Sequence, residues 1–139
     1  MVKTINLNSY TGNLFTFNSN ITWTNKIGSM TITQTGYDSE NEVYVGTVNI
    51  NLRLQTSNAI TSGTTLFTFN STYWKPWHGT VFPAITSANA ASGTLSWSNI
   101  GTNVNGNVQV LNGLTGTSAK YIHVNITHEI ALNKDLRTW

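Results

Sequence analysis

The stretch VYVGTVNINLRL, residues 43–54, alternates apolar and polar side chains over most of its length. An extended chain points successive side chains to opposite sides, so this pattern predicts a β-strand with one buried face and one exposed face. The apolar positions are Val48, Ile50, Leu52 and Leu54. The polar positions between them are Thr47, Asn49, Asn51 and Arg53.

A second stretch, YIHVNITHEI at residues 121–130, has the same alternation. The positions predicted to face inward are Ile122, Val124, Ile126 and Ile130. The positions predicted to face outward are Tyr121, His123, Asn125, Thr127 and Glu129. His128 continues the inward face, and we interpret it as a hydrogen-bonded histidine of the core or of a subunit interface.

The rest of the chain predicts further short strands separated by turns, because Thr favours strands and Asn, Ser and Gly favour turns. The shorter strand candidates are Thr4 to Leu7, Leu14 to Phe17, Met30 to Gln34, Thr65 to Phe69, Thr80 to Phe82, Thr94 to Ser98 and Asn107 to Leu111. The turn candidates are Thr11 to Asn13, Asn25 to Gly28, Thr61 to Gly63, Asn105 to Asn107 and Asn112 to Gly113. We therefore predict one all-β domain over residues 1–139, an antiparallel β-sandwich or barrel of about eight strands.

The hexapeptide LFTFNS occurs twice, at residues 14–19 and 66–71, and a tryptophan follows each copy. The sequences beyond the two copies share little else. We favour two amphipathic strands with aromatic inner residues, and an old hairpin duplication is the alternative.

Composition excludes several classes of function. Only 9% of the residues are charged, and the seven Lys and Arg residues are scattered singly, whereas nucleic-acid binding needs a basic cluster. Cysteine is absent, which excludes a disulfide framework and a thiolate nucleophile. Neither a signal peptide nor a membrane-spanning stretch is apparent, so we expect synthesis in the cytoplasm and no membrane insertion.

Acid–base and metal candidates are few. Asp38, Glu40 and Glu42 are spaced so that an extended strand would turn all three carboxylates to one side, a possible catalytic or calcium-binding cluster. We favour the alternative, a solvated acidic edge, because the surrounding sequence reads as a polar loop. His123 and His128 would face opposite sides of one strand, so we predict no metal site and no cofactor.

The five tryptophans are the more informative residues. An indole face can stack on a sugar ring while neighbouring amides bind the hydroxyl groups. We interpret Trp23 and Trp74 as core residues, because they follow the repeated strand. Trp77 is either a loop anchor or an exposed platform, and Trp97 is followed by an Asn-rich loop that could supply hydroxyl partners.

From Val43 to Thr127 the order of motifs resembles the head domain of receptor-binding proteins of siphophages that infect lactic-acid bacteria. The motifs are VNINLRL, SGTTLFTFNSTYWKP, VFPA, LSWSNI, NVNGNVQV and YIHVNI. Lys75 and Pro76 stand where the family often has Arg-Pro. The family often places an aromatic residue after the Asn-Gly turn, where this chain has Gln109 and Val110.

The resemblance implies a non-enzymatic, homotrimeric head in the phage tail or baseplate that recognises host cell-wall saccharides and contacts other tail proteins. The saccharide-binding residues that it implies are Trp97, Asn99 and Gln109, and from the loop YWKPWHG we add Trp77 and His78 to the predicted site. Two alternatives stay open: a small glycan depolymerase using the acidic cluster, and a virion structural or fibre-knob protein without a ligand.

Overall fold

The computed structural model describes residues 1–8, 14–75, 80–89, 94–102, 106–111, 114 and 119–139, without the side chains of residues 75, 80–89, 94–102 and 126. The strands are β1 Val2–Asn6, β2 Phe15–Phe17, β3 Trp23–Asp38, β4 Val43–Thr56, β5 Thr65–Phe69, β6 Trp74–Lys75, β7 Thr80–Asn89, β8 Thr94–Thr102, β9 Asn107–Val110 and β10 Lys120–Leu132. A single 3-10 turn, Leu136–Thr138, is the only helical element in this part of the chain. The prediction of an all-β fold is confirmed.

Every pairing between these strands is antiparallel. The order across the sheet is β1-β3-β4-β10-β7-β8-β9-β5-β2, and β6 also pairs with β10. β10 is 13 residues long, and this length allows it to pair with three other strands. It pairs with β4 along its whole length, with β7 near its start and with β6 at its end.

The two strands with the clearest alternation, β4 and β10, lie side by side in the sheet. Their predicted inward apolar positions are buried wherever the side chain is described, and Leu52, for example, is 1% exposed. Burying such an aliphatic side chain contributes about 1.5–3 kcal/mol relative to leaving it in water. His128 lies opposite the buried Val48 and is itself half-buried.

The third long strand, β3, corrects one prediction. The proposed turn at Asn25 to Gly28 is wrong, since these residues continue β3 and pair with β4. Gly28 has a φ of +148°, and a Cβ there would lie 2.1 Å from the main-chain oxygen of Asn51. The glycine therefore allows close contact between two strands and does not mark a chain reversal.

Other strand boundaries differ less. β7 and β8 extend past the predicted ends, to Asn89 and Thr102, and β5 has the predicted bounds. The turn at Thr61 to Gly63 is confirmed: Gly63 has a φ of +84° and the amide of Thr64 donates to the carbonyl of Thr61. The predicted turns at residues 11–13 and 112–113 lie outside the described residues.

The two LFTFNS copies form β2 and β5, which pair directly with each other. Phe15 lies opposite Phe69, and Phe17 lies opposite Phe67. The main-chain bonds beyond the strands repeat with the same symmetry: Asn18 N to Leu66 O at 2.9 Å, and Asn70 N to Leu14 O at 2.9 Å. Each copy therefore supplies the other with the same backbone bonds, which gives the repeat a local two-fold arrangement.

The tryptophan after each copy packs on these phenylalanines. Trp74 is fully buried, contacts the ring of Phe69 and donates its indole N–H to the carbonyl of Leu14 at 2.7 Å. Trp23 is half-buried and contacts the edge of Phe17. The interpretation of Trp74 as a core residue is confirmed, and Trp23 is packed against the same core.

Candidate functional site

The five predicted saccharide-binding residues differ in how much of each one the structure describes. Trp77 and His78 lie outside the described residues. Trp97 and Asn99 are on β8, where the structure describes the backbone. Gln109 is on β9, is half-buried, and has its side-chain amide 3.5 Å from the hydroxyl of Thr65.

The pairing of the strands places these positions on one face of the sheet. Trp97, Asn99 and Gly101 alternate along β8, and Gly101 lies opposite Gln109. Directly opposed residues of neighbouring strands share a face, so positions 97, 99 and 109 belong to the same side. The structure therefore brings three of the five predicted positions to one surface at the level of the backbone.

The same register connects position 97 with the two longest strand pairs. Neighbouring strands are about 4.8 Å apart, so five opposed residues make a row across the sheet. This row, which we call the cross-strand row, consists of Ile27, Arg53, His123, Ile85 and Trp97. Arg53 is exposed and His123 is half-buried, and both alternate with the buried positions of β4 and β10, so the row runs along the outer face of the sheet.

Two adjoining depressions cover the β3 side of this row, with volumes of about 120 Å³ and 330 Å³. Ile27 and Arg53 line both of them. Together they form a shallow channel, which we call the Arg53 groove. Its lining residues are Asn25, Ile27, Gly28, Ser29, Asn51, Arg53, Leu54, Gln55, Tyr121 and His123.

Neutral hydrogen-bonding groups dominate the groove and the face beside it. The side-chain amide of Gln55 donates to the hydroxyl of Tyr121 at 3.1 Å, which leaves the phenolic proton available to another acceptor. Farther along the same two strands, the amide of Asn49 donates to the hydroxyl of Thr127 at 2.7 Å. These cross-strand pairs hold amide and hydroxyl groups in fixed positions on an exposed surface.

The charged Arg53 and the titratable His123 lie next to each other in the cross-strand row. Partial burial and, second, the charge of Arg53 lower the pKa of His123. Near neutral pH the imidazole is therefore uncharged and offers one donor and one acceptor. Within the described part of the chain, no acidic side chain lies within ion-pair distance of Arg53.

The acidic cluster considered in the sequence analysis lies elsewhere, at the end of β3 and in the turn between β3 and β4. The carboxylate of Asp38 accepts bonds from the side chain of Asn41 and from the amides of Glu40 and Asn41. These bonds lower the pKa of Asp38, the bond from the Asn41 side chain most. Asp38 ends β3 whereas Glu40 and Glu42 belong to the turn, so the three carboxylates do not share one extended strand.

A carboxyl with a lowered pKa stays ionised and is poorly suited to donate a proton. The described residues contain no group of three or more histidines and carboxylates that could hold a metal ion. The acidic turn thus has the geometry of a solvated edge, the interpretation that the sequence favoured.

No protein-family model, curated protein or solved structure matches this chain. In the part of the chain that the structure describes, no helix has the length and apolarity needed to cross a membrane.

The Arg53 groove is not among the sites that the sequence predicts. Its signal was present, because Arg53, Tyr121 and His123 occupy outward positions of the two strands with the clearest alternation. The alternation in those strands identifies the buried face and does not single out a site on the outer face. Gln55 and Asn25 could not be distinguished from other amide residues, since Asn and Gln are spread through the whole sequence.

Proposed function

We propose that this protein is a carbohydrate-binding module without enzymatic activity, the head of a phage receptor-binding protein that recognises host cell-wall saccharides. The observation that supports it most is the cross-strand row, which connects position 97 with the exposed, amide-rich Arg53 groove. A tryptophan at one end and hydrogen-bonding groups at the other are the two components that sugar recognition requires.

The chemistry of the groove suits a polyhydroxylated ligand. Asn51, Gln55 and Tyr121 combine donors with acceptors, as each sugar hydroxyl does. The groove is shallow and open, so each site would bury little surface and bind weakly. Weak sites of this kind serve adhesion when several of them act together.

The phage origin, the homotrimer and the contacts with other tail or baseplate proteins rest on the resemblance of the motifs. A trimer would present three equivalent sites on one rigid head. Simultaneous binding of linked sites raises avidity by about 10²–10⁴ through effective concentration. Millimolar sites could then support stable but reversible attachment to a polysaccharide surface.

The direct test measures binding of the purified chain to a glycan array and to wall polysaccharide of lactic-acid bacteria. We expect Trp97→Ala to abolish binding and to keep the melting temperature within a few degrees of wild type. The control is Tyr37→Ala, which removes another aromatic side chain, 55% exposed, at the far end of β3. This variant should bind normally.

Two results would contradict the proposal. Unfolding of Trp97→Ala together with the loss of binding would make Trp97 a core residue and the assigned site wrong. New reducing ends, released when the wild-type chain is incubated with wall polysaccharide, would show a depolymerase instead of an adhesin.

A further inference from the structure

We propose that Arg53 and His123 form a subsite that recognises the negatively charged group of an acidic sugar, a carboxylate or a phosphate. This inference rests on the proposed carbohydrate-binding function and names the class of saccharide that the groove selects. The resemblance implied neither of these two residues as part of a binding site.

The geometry of the subsite follows from the pairing of β4 and β10. Arg53 and His123 are directly opposite each other, which sets their Cβ atoms about 4.5–5.5 Å apart on the same face. A guanidinium presents its N–H groups as a planar fork that matches two oxygens of a carboxylate or phosphate. An imidazole beside it can donate to a third position of the same group or to a neighbouring hydroxyl.

The surroundings leave room for such a ligand. The main chain of Gly28 lines the larger of the two depressions. Its positive φ and its contact with the main chain of Asn51 exclude other residues at this position. On β4, Asn51 and Gln55 flank Arg53 on the same face and can bind the hydroxyl groups of the ring that carries the charge.

The distribution of charge favours an anion at this end of the sheet. All five carboxylates of the chain lie toward the other end, near the β3–β4 turn and the end of β10. They are Asp38, Glu40, Glu42, Glu129 and Asp135. The end with the groove, from Ile50 and Ile126 toward Thr56 and Lys120, carries no carboxylate, and Arg53 is the cation that lines the groove, since Lys26 and the buried Lys120 belong to the opposite face. A cleft lined by one sign of charge attracts ligands of the opposite sign.

The ionisation of His123 gives the subsite a pH dependence. Arg53 faces His123 from β4, Tyr121 is its titratable neighbour on β10, and the paired strand β7 contains no titratable residue. A bound anion would oppose the effect of Arg53 and raise the pKa of His123. Binding would then take up a proton, so the affinity should increase as the pH falls from about 7 to about 5.

The experiment titrates the full chain, in a buffer without phosphate, with four probes. The probes are glucose, glucuronate, glucose 6-phosphate and inorganic phosphate. NMR shifts of the His123 imidazole and of the Arg53 side chain report occupancy and dissociation constants. We expect glucuronate or glucose 6-phosphate to bind about 10-fold or more tightly than glucose, because one charged hydrogen bond has that effect.

Three variants test the assignment. Arg53→Gln should reduce the preference for the charged sugars to less than about 2-fold, since the amide keeps hydrogen bonding and loses the charge. His123→Gln should abolish the pH dependence, measured with glucuronate, whose carboxylate does not titrate in this range. Lys134→Gln removes one charge at the opposite end of β10 and should leave the preference unchanged.

The outcomes separate this inference from the proposed function. Equal binding of glucose and glucuronate, unchanged in Arg53→Gln, would overturn the subsite and preserve the carbohydrate-binding function. Inorganic phosphate bound as tightly as glucose 6-phosphate, and dependent on Arg53, would support anion recognition and contradict recognition of the sugar. Shifts confined to residues outside the groove would overturn the subsite.

Discussion

Leu52 and Arg53 are neighbours in the chain and belong to opposite faces of β4. Leu52 is buried among aliphatic and aromatic side chains, whereas Arg53 is exposed beside amides, hydroxyls and an imidazole. Stability depends on the inner positions, and the outer positions need only stay polar. The specific set of groups around Arg53 is therefore not required by the fold, which supports the proposal that these groups bind a ligand.

The largest loss of stability is expected from a substitution in the aromatic part of the core. Trp74→Ala should reduce the free energy of unfolding by about 3–5 kcal/mol, because it leaves a large cavity beside Phe69. It also leaves the carbonyl of Leu14 without the indole donor. Urea denaturation of the variant and of Tyr37→Ala provides the comparison. A loss below about 1 kcal/mol would mean that the aromatic cluster contributes much less than its burial indicates.

The next largest loss of stability is expected on the inner face of β4. Leu52→Ala should cost about 2–5 kcal/mol of unfolding free energy, as truncation of a buried leucine does. The matched change at the neighbouring outer position is Arg53→Gln, which should alter stability by less than about 0.5 kcal/mol. Comparable losses for the two variants would show that both faces of the strand are structural.

Asp135 belongs to a polar network that stabilises the fold, unlike the polar residues of the outer face. Asp135 caps the C-terminal turn, forms an ion pair with Arg137 and accepts a bond from Gln34. These contacts, above all the bond from the Arg137 side chain, hold the pKa of Asp135 well below its usual value. A lowered pKa stabilises the folded state above pH about 3.8, and this stabilisation is lost as the pH falls through the folded-state pKa.

Asp135→Asn should therefore lower the melting temperature near pH 6. The difference in melting temperature between this variant and wild type should become smaller as the pH falls below about 3.8. Thermal unfolding followed across this range checks the prediction. The control is Asn125→Asp, a charge change on the exposed face of β10. A difference between Asp135→Asn and wild type that stays constant with pH would show that the carboxylate charge does not contribute.

Much of the fold could be predicted because its signal is local. Alternation in β4 and β10 depends only on neighbouring residues, and the structure confirms both strands. The length of β3 could not be predicted, since Gly28 resembles a turn residue until the close contact with Asn51 is known. The pairing of the two LFTFNS copies also depends on partners 50–54 residues apart, which no local pattern specifies.

The site was predictable only in part for the same reason. Trp97 and Gln109 were proposed from sequence, whereas the connection of position 97 to His123 and Arg53 requires the order of four strands. Arg53 and His123 are 70 residues apart in the chain and directly opposite each other in the sheet. A constellation assembled from distant strands has no spacing that sequence analysis can recognise.

The smallest expected effect lies on the outer face itself. Asn51→Ala should change the free energy of unfolding by less than about 0.5 kcal/mol, because its side chain is exposed. The same variant should weaken saccharide binding several-fold, since it removes a donor and an acceptor from the groove. Paired denaturation and glycan-binding measurements check both parts, and a stability loss without a binding loss would reverse the assignment of this face.

The most direct test of a saccharide site on the outer face is a crystal structure of this chain soaked with an oligosaccharide from the host cell wall. We predict electron density for a sugar along the cross-strand row, with a ring stacked on Trp97 and polar contacts to residues of the Arg53 groove. A sugar bound elsewhere, with the indole of Trp97 sealed in the interior, would contradict the account.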